Sequence, residues 1–134
     1  MKVRLMFISL SLLFVLNSCC FGAKENHLGN NIYLSEYDNV DLRILYQKES
    51  CAQSGVEIVP MTILEIAHNS EWIIAKSGNK RSNSDFKYWI IQNSYSNIPD
   101  AETVKLNTKG PLDKTTFENL IMERSIELEL KSIK

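Results

Sequence analysis

Several residue types and motifs that carry enzyme chemistry are scarce or missing in this chain of 134 residues. Its two histidines, His27 and His68, cannot supply the three or four converging ligands that a zinc site needs, and we interpret both as surface residues. No C-x-x-C pair, P-loop, G-x-G-x-x-G or G-x-S-x-G motif occurs. We therefore predict that the protein is not an enzyme and uses neither a metal nor a cofactor.

Two patterns that imitate catalytic motifs are better explained as structure. Ser77 and Lys80 match the S-x-x-K pattern of penicillin-binding enzymes. They lie in a loop rich in Gly, Asn and Ser, however, and the S-D-N and K-T-G partners of those enzymes are missing. Four glutamates near the C-terminus fit the solvated face of a helix better than a pair of catalytic carboxylates. They are Glu118, Glu123, Glu127 and Glu129.

A large excess of one charge is also absent. The first 18 residues hold two of the fifteen basic residues and none of the acidic ones. Without them the chain keeps 13 basic and 16 acidic residues, a formal charge of about −3. This weak acidity gives no electrostatic footprint for nucleic acid, which we exclude as a partner.

The N-terminus carries the one long hydrophobic run. Lys2 and Arg4 precede the segment LMFISLSLLFVL at residues 5–16, which is typical of a signal peptide. As a helix, about a dozen residues rise only ~18 Å, whereas the hydrocarbon core of a bilayer is ~30 Å thick. We therefore predict a cleaved signal at residues 1–18 and not a membrane-spanning helix.

The end of this run resembles the lipobox of bacterial lipoproteins. Leu16, Asn17 and Ser18 precede Cys19, which gives an aliphatic residue three positions before a cysteine and a small residue directly before it. The alternative anchor, Cys20, would have Asn17 at the aliphatic position. The resemblance implies that Cys19 is the lipidated residue and that the membrane is a partner through this lipid.

The resemblance also implies where the protein is located. Two or three acyl chains hold a protein stably in a bilayer. Position 20 is not the Asp that commonly retains lipoproteins at an inner membrane. We expect a cell-envelope protein, at the outer membrane if the cell has two membranes and otherwise at the outer face of the cytoplasmic membrane.

Cys51 is the remaining cysteine. The simplest interpretation is an unpaired, partly buried thiol. A disulfide with Cys20 and an intermolecular or redox role stay open, because exported domains often use disulfides.

Turn residues and alternating hydrophobicity predict the organisation of the rest. Polar residues up to position 31 predict a lipidated, flexible tether at 19–31, followed by one globular domain at 32–134. We predict strands at 32–37, 41–47, 56–59, 62–67, 71–76 and 86–93, with a weak segment at 103–106. Asn69 and Ser70 form a turn, and residues 77–85 form a long loop.

The fold class predicted from these segments is α+β. It is a mostly antiparallel β meander of five to six strands in one curled sheet, with one C-terminal helix packed on it. Trp72 and Trp89 are both predicted to lie in the core. The helix is indicated by Phe117, Leu120 and Ile121 at helical spacing, with Thr115 or Asp113 as its cap.

The pair "IIAK" and "YWII" and the "GPL" turn before the final helix resemble small uncharacterised bacterial lipoproteins grouped under domains of unknown function. This resemblance supports the fold and implies no activity. We expect a non-enzymatic lipoprotein that binds another envelope component. The alternative is an inhibitor or immunity-type lipoprotein that blocks a hydrolase or a toxin.

One loop is a candidate binding site. Lys76, Lys80, Arg81 and Lys87 surround the loop at 77–85. A solvated hairpin tip explains such a cluster, and so does contact with anionic headgroups or an acidic partner. We take Lys80 and Arg81 as the predicted partner-binding residues.

Overall fold

The computed structural model describes residues 24–36, 41–52 and 54–133. Within these ranges the chain forms nine strands and two short helices. They are β1 (Glu25–Gly29), β2 (Ile32–Ser35), β3 (Arg43–Tyr46), β4 (Val56–Val59), β5 (Ile63–His68), β6 (Trp72–Ser77), β7 (Lys87–Gln92), α1 (Ala101–Leu106), β8 (Thr108–Leu112), α2 (Lys114–Glu123) and β9 (Lys131–Ser132). Neither helix in these ranges is long and apolar enough to cross a membrane.

The first four strands form sheet 1, in the order β1-β2-β3-β4, with every pair antiparallel. The β1–β2 connection is a tight hairpin, because Asn30 and Asn31 both have a positive φ, at 49° and 63°. Asparagine tolerates this left-handed conformation, which matches the twist of a two-residue hairpin. Gly29 and Ile32 are therefore paired directly across the turn.

The remaining strands form sheet 2, in the order β8-β7-β6-β5-β9, again with antiparallel pairs. Asn69 makes the predicted turn between β5 and β6. Its side-chain oxygen accepts hydrogen bonds from the backbone N–H groups of Glu71 and Trp72, at 2.9 and 2.8 Å. Such local bonds are the reason that asparagine is favoured in turns.

The main core lies between the two sheets. Sheet 1 contributes buried side chains such as Ile32, Ile44 and Val59, and sheet 2 contributes Ile73 and Trp89, among others. A second apolar cluster lies on the other face of sheet 2, where α2 packs. Sheet 2 is thus buried on both faces, which explains why β6 and β7 are nearly continuous apolar segments.

The two tryptophans occupy opposite faces of sheet 2. Trp89 is paired with Ala75 and lies in the core between the sheets, with 5 % of its surface exposed. Trp72 is half-buried in the cluster under α2, where the Arg124 guanidinium lies 5.4 Å from its ring centre. The prediction that both rings belong to the core is confirmed for Trp89 and holds only in part for Trp72.

The predicted fold class is correct in its coarse form, since most of the chain is antiparallel sheet with helical additions. The single curled meander is wrong. The described strands divide between two sheets, because β6 and β7 have apolar side chains on both faces and sheet 1 covers the face that α2 leaves open. Nor does the helix end the fold, since β9 follows it and pairs with β5.

Two element predictions also need correction. The weak segment at 103–106 belongs to helix α1, which begins after Asp100 because the Asp100 carboxylate accepts a hydrogen bond of 2.8 Å from the Thr103 N–H. The flexible tether predicted for 19–31 is wrong from Glu25 onward. Residues 25–29 form β1, since Glu25 to His27 pair with Ser35 to Tyr33.

The two predicted N-terminal features, the signal at residues 1–18 and the lipidated Cys19, lie outside the described residues. Cys51 lies within them and is disulfide-bonded, so the interpretation of Cys51 as an unpaired thiol is wrong. The two other cysteines of the chain, Cys19 and Cys20, lie outside the described residues. The Cys51 amide N–H donates to the Glu25 carboxylate at 2.9 Å, which fixes this loop against the start of β1.

Candidate functional site

The antiparallel register gives the sandwich two distinct ends. At one end Glu25, Ser35 and Arg43 lie side by side across β1, β2 and β3, and we call it the entry end because the described chain starts there. At the other end, the far end, Ile32 is paired with Tyr46 beside the β1–β2 hairpin.

The predicted loop after β6 lies at the entry end and forms one wall of a groove. We call this the basic groove. It has a volume of about 580 Å³ and is lined by Asp41, Arg43, Pro60, Met61, Thr62, Gly78, Asn79, Lys80 and Arg81. The structure thus brings Lys80 and Arg81 together with Arg43, which is 37 positions before Lys80 in the sequence.

The backbone of this loop is held in a defined shape. The Gly78 N–H donates to the Thr62 carbonyl at 3.0 Å, and a Cβ at Gly78 would lie 2.8 Å from the Phe86 ring. The Asn79 side-chain oxygen accepts a hydrogen bond of 2.9 Å from the Arg81 N–H. These contacts turn the chain so that Lys80 and Arg81 are exposed at the rim of the groove.

Among the described residues that line the groove, positive charge outnumbers negative charge. They are the cations Arg43, Lys80 and Arg81 and one carboxylate, Asp41. Arg43 is partly neutralised by Glu57, whose Oε1 lies 3.0 Å from the Arg43 Nη1, although both side chains keep more than a third of their surface exposed. An exposed pair of this kind contributes little to stability and can exchange partners readily.

Two of the four cations predicted around the loop do not line this groove. The Lys76 Nζ lies 3.0 Å from the Glu65 carboxylate and 4.1 Å from the centre of the Phe86 ring. Lys87 lies near Asp113, where its charge contributes to a lowered pKa of that carboxyl. The predicted cluster of four is therefore replaced by Lys80, Arg81 and Arg43.

A second groove of about 920 Å³ lies at the far end, between the loop after β3 and the start of α1. Its lining includes the carboxylates of Glu49, Asp100 and Glu102 and one cation, Lys48. Hydrogen bonding to the N–H and the side chain of Thr103 lowers the pKa of Asp100, so this carboxyl stays ionised at neutral pH. The described residues that line the two grooves therefore differ in the sign of their net charge.

The patterns that imitate catalytic motifs have structural explanations. The Ser77 hydroxyl is buried and accepts a hydrogen bond of 2.8 Å from the Trp89 indole, so it does not face the groove as a nucleophile would. The C-terminal glutamates are exposed, but only Glu118 and Glu123 belong to α2, whereas Glu127 and Glu129 follow it, so their interpretation as one helix face is correct only in part. Among the described residues, no three His, Cys, Asp or Glu side chains come together as a metal site.

Sequence reasoning missed Arg43 and the acidic far-end groove. Arg43 lies between Leu42 and Ile44 at the start of β3, and such a neighbourhood indicates only that its side chain lies on the opposite face of the strand from theirs. Its place in the same groove as Arg81 depends on the packing of two sheets, which no local sequence pattern indicates.

The comparisons with known proteins bear on family alone. The family described as "Protein of unknown function (DUF3997)" matches residues 29–134, a range that includes both grooves. No curated protein and no solved structure matches the chain.

Proposed function

Because the chain belongs to the DUF3997 family, whose description assigns no activity, its function must be argued from its own residues, and we propose that it is a lipid-anchored binding protein of the bacterial cell envelope. Its anchor is the thiol of Cys19, and its binding site is the basic groove. It acts by holding another envelope component at the membrane and not by catalysing a reaction.

The observation that carries this proposal is the meeting of three cationic side chains from two sheets at one groove. Arg43 comes from sheet 1, whereas Lys80 and Arg81 come from the loop after β6 in sheet 2. In a domain of weakly acidic net charge, such a local excess of positive charge favours an anionic partner. The groove is open to solvent and has charged side chains in its lining, which fits a headgroup, an anionic polymer or an acidic loop.

The anchor is tested by labelling cells with palmitate. We expect the wild-type and Cys20→Ser proteins to incorporate the label and Cys19→Ser to incorporate none and to leave the membrane fraction. Label that persists in Cys19→Ser and disappears in Cys20→Ser would assign the anchor to Cys20 instead.

The binding role is tested by pull-down from detergent extracts of membranes. We expect wild-type protein to recover an envelope component and Arg81→Glu to recover at least about fivefold less, since reversing one charge replaces attraction by repulsion. Lys105→Glu at the far end is the matched control, because it changes the net charge equally and leaves the groove intact. Recovery of a hydrolase or toxin would favour the inhibitor or immunity-type alternative.

A further inference from the structure

A third groove lies on the outer face of sheet 2, beside α2, and we call it the apolar groove. It has a volume of about 480 Å³ and is lined by apolar side chains from β6, from α2 and from the segment between α2 and β9. They are Ile74, Phe117, Ile121, Met122, Leu128 and Leu130. Ile74 and Phe117 are buried, so the other four form its open walls.

These walls expose apolar surface that the described part of the fold leaves uncovered. Met122 keeps 71 % of its surface exposed, and Ile121, Leu128 and Leu130 are only partly buried. Exposed apolar side chains that adjoin one another within a polar rim are typical of an interaction surface. The flexible methionine side chain also adapts to the shape of an apolar partner.

The rim of the apolar groove is acidic. Its remaining lining residues are Glu118 on α2 and Glu129 on the segment after it, and no Lys or Arg is among the described residues that line it. Glu129 makes no salt bridge within the described part of the chain. Glu118 lies 3.7 Å from Lys114, but both side chains are more than half exposed, so this pair contributes little.

The apolar groove and the chain entry lie on opposite faces of the sandwich. Glu25 shares a face of sheet 1 with Ser35, whereas Leu34, which alternates with Ser35, lies in the core between the sheets. The Glu25 carboxylate is therefore on the outer face of sheet 1, where it accepts a hydrogen bond from the Cys51 N–H. The disulfide-bonded loop is thus separated from α2 by both sheets.

The charge of the rim distinguishes between possible occupants. In a symmetric dimer formed through this surface, two acidic rims would face each other and repel. An anionic membrane surface would repel the rim in the same way. A segment with apolar side chains beside lysines or arginines satisfies both the apolar walls and the two carboxylates.

We infer that the apolar groove binds a basic amphipathic segment of another protein, with its apolar side chains against Met122 and Ile121 and its cations beside Glu118 and Glu129. The inference goes beyond the proposed function, because it concerns a different groove and needs neither Lys80 nor Arg81. A domain with both grooves has two separate surfaces for partners of opposite charge.

The test measures oxidation of Met122 by hydrogen peroxide, followed by mass spectrometry, in the full-length protein reconstituted into phosphatidylcholine nanodiscs. The probe is a short synthetic peptide without methionine, with two leucines four positions apart and lysines on both sides. In one control peptide glutamates replace the lysines, and in the other serines replace the leucines. Met61, which lines the basic groove, is the internal control.

At a peptide concentration of about twice its Kd, about two thirds of the grooves are occupied. We therefore expect the leucine–lysine peptide to slow oxidation of Met122 about threefold, with Met61 unchanged and no protection by either control peptide. Glu129→Lys should raise the concentration needed for half-maximal protection at least about threefold, because it repels the flanking lysines. Glu49→Lys, the same change at an exposed position outside this groove, should leave it unchanged.

Equal protection of Met122 by all three peptides, or none by the leucine–lysine peptide, would overturn the inference. The peptide-free protein supplies a further check, since a side chain as exposed as Met122 should be oxidised within about threefold of its rate in the denatured chain. Slower oxidation would also overturn the inference. It would assign the groove to a second copy if it disappears in nanodiscs that hold one copy, and to the lipid surface if it persists there.

Discussion

The indole N–H of Trp89 donates a hydrogen bond of 2.8 Å to the hydroxyl of Ser77, and both side chains are buried in the core between the sheets. The Ser77 hydroxyl also lies 3.4 Å from the Lys87 carbonyl. A serine in the position of a catalytic S-x-x-K motif therefore acts as the partner of a core tryptophan. This satisfies the one polar group of a large apolar side chain.

We predict that Ser77→Ala lowers the free energy of unfolding by about 1–3 kcal/mol, because it leaves the Trp89 N–H buried without an acceptor. Urea unfolding followed by circular dichroism measures the change. Ser96→Ala, at an exposed position, is the control and should stay within about 0.5 kcal/mol of the wild type.

The same pair allows a double-mutant cycle. Phe at position 89 has no N–H, so Ser77→Ala should cost less in a Trp89→Phe background than in the wild type. If Ser77→Ala costs the same in both backgrounds, the loss comes from packing around Ser77 and not from the hydrogen bond.

Gly110 lies against the same ring and gives the second prediction. A Cβ at Gly110 would lie 2.3 Å from Trp89 Cε3, and its φ of +153° is one that other residues rarely adopt. Gly110→Ala should therefore lower the free energy of unfolding by about 2 kcal/mol or more. Thermal unfolding followed by circular dichroism measures it.

The matched control for this variant is Gly55→Ala. The nearest atom to a Cβ at Gly55 is Gln47 Cγ at 3.1 Å, a much less severe approach than the one at Gly110. We expect the loss at Gly55 to be clearly the smaller of the two. An equal loss at both positions would mean that the Trp89 contact does not restrict residue 110.

Strands β5, β6 and β7 of sheet 2 could be predicted from the sequence because their signals are local, whereas β8, which includes the predicted "GPL" turn, and β9 were not predicted. Asn69 marks a turn through its own side chain, and the apolar segments on either side of the long loop are short enough to be strands. The structure of the segment at 103–106 was harder to predict. The helix that follows Pro99 and Asp100 is too short to show helical periodicity in the sequence. It depends on the cap that the Asp100 side chain provides.

The division into two sheets and the composition of the basic groove could not be predicted in this way. Apolar residues on both faces of β6 and β7 indicate burial of both faces, but they do not say whether a helix or a second sheet covers them. Arg43 and Arg81 line the same groove only because the entry ends of the two sheets are packed together. Arrangements that join residues far apart in the sequence follow from tertiary packing, and neither segment alone contains a pattern that predicts them.

The third prediction concerns pH and the cap of α2. The Asp113 carboxylate accepts a hydrogen bond of 2.8 Å from the Thr116 N–H, so Asp113 and not Thr115 caps this helix. Bonding to the Thr116 backbone and side chain lowers the pKa of Asp113 below its ordinary value of 3.8. The folded state therefore binds a proton less readily than the unfolded state, and the cap loses its stabilising effect as the pH falls below about 4.

Asp113→Asn separates this effect from the titration of other carboxylates. Asparagine caps a helix about as well as aspartate and does not titrate. We expect similar midpoints of thermal unfolding at pH 7, and a smaller fall for Asp113→Asn than for the wild type between pH 4 and pH 2. Parallel curves down to pH 2 would mean that ionisation of Asp113 does not contribute to stability.

The last prediction concerns the disulfide of Cys51. Because Cys51 is disulfide-bonded, it should resist alkylation in denaturant until a reductant is added, as measured by mass spectrometry of its peptide. The chain has two other cysteines, Cys19 and Cys20. Lipidation would consume the thiol of Cys19, so Cys20 is the expected partner in the lipidated protein.

A pair of variants tests this assignment. Cys20→Ser should make Cys51 open to alkylation without reduction and lower the free energy of unfolding by about 2–4 kcal/mol, the usual effect of opening a loop of this size. Cys19→Ser should leave Cys51 protected, because it removes the lipid and not the bridge. Protection that persists in Cys20→Ser and disappears in Cys19→Ser would mean that Cys19 forms the bridge. The Cys19 thiol would then be unavailable for acylation, and the two neighbouring cysteines would have exchanged the roles proposed for them.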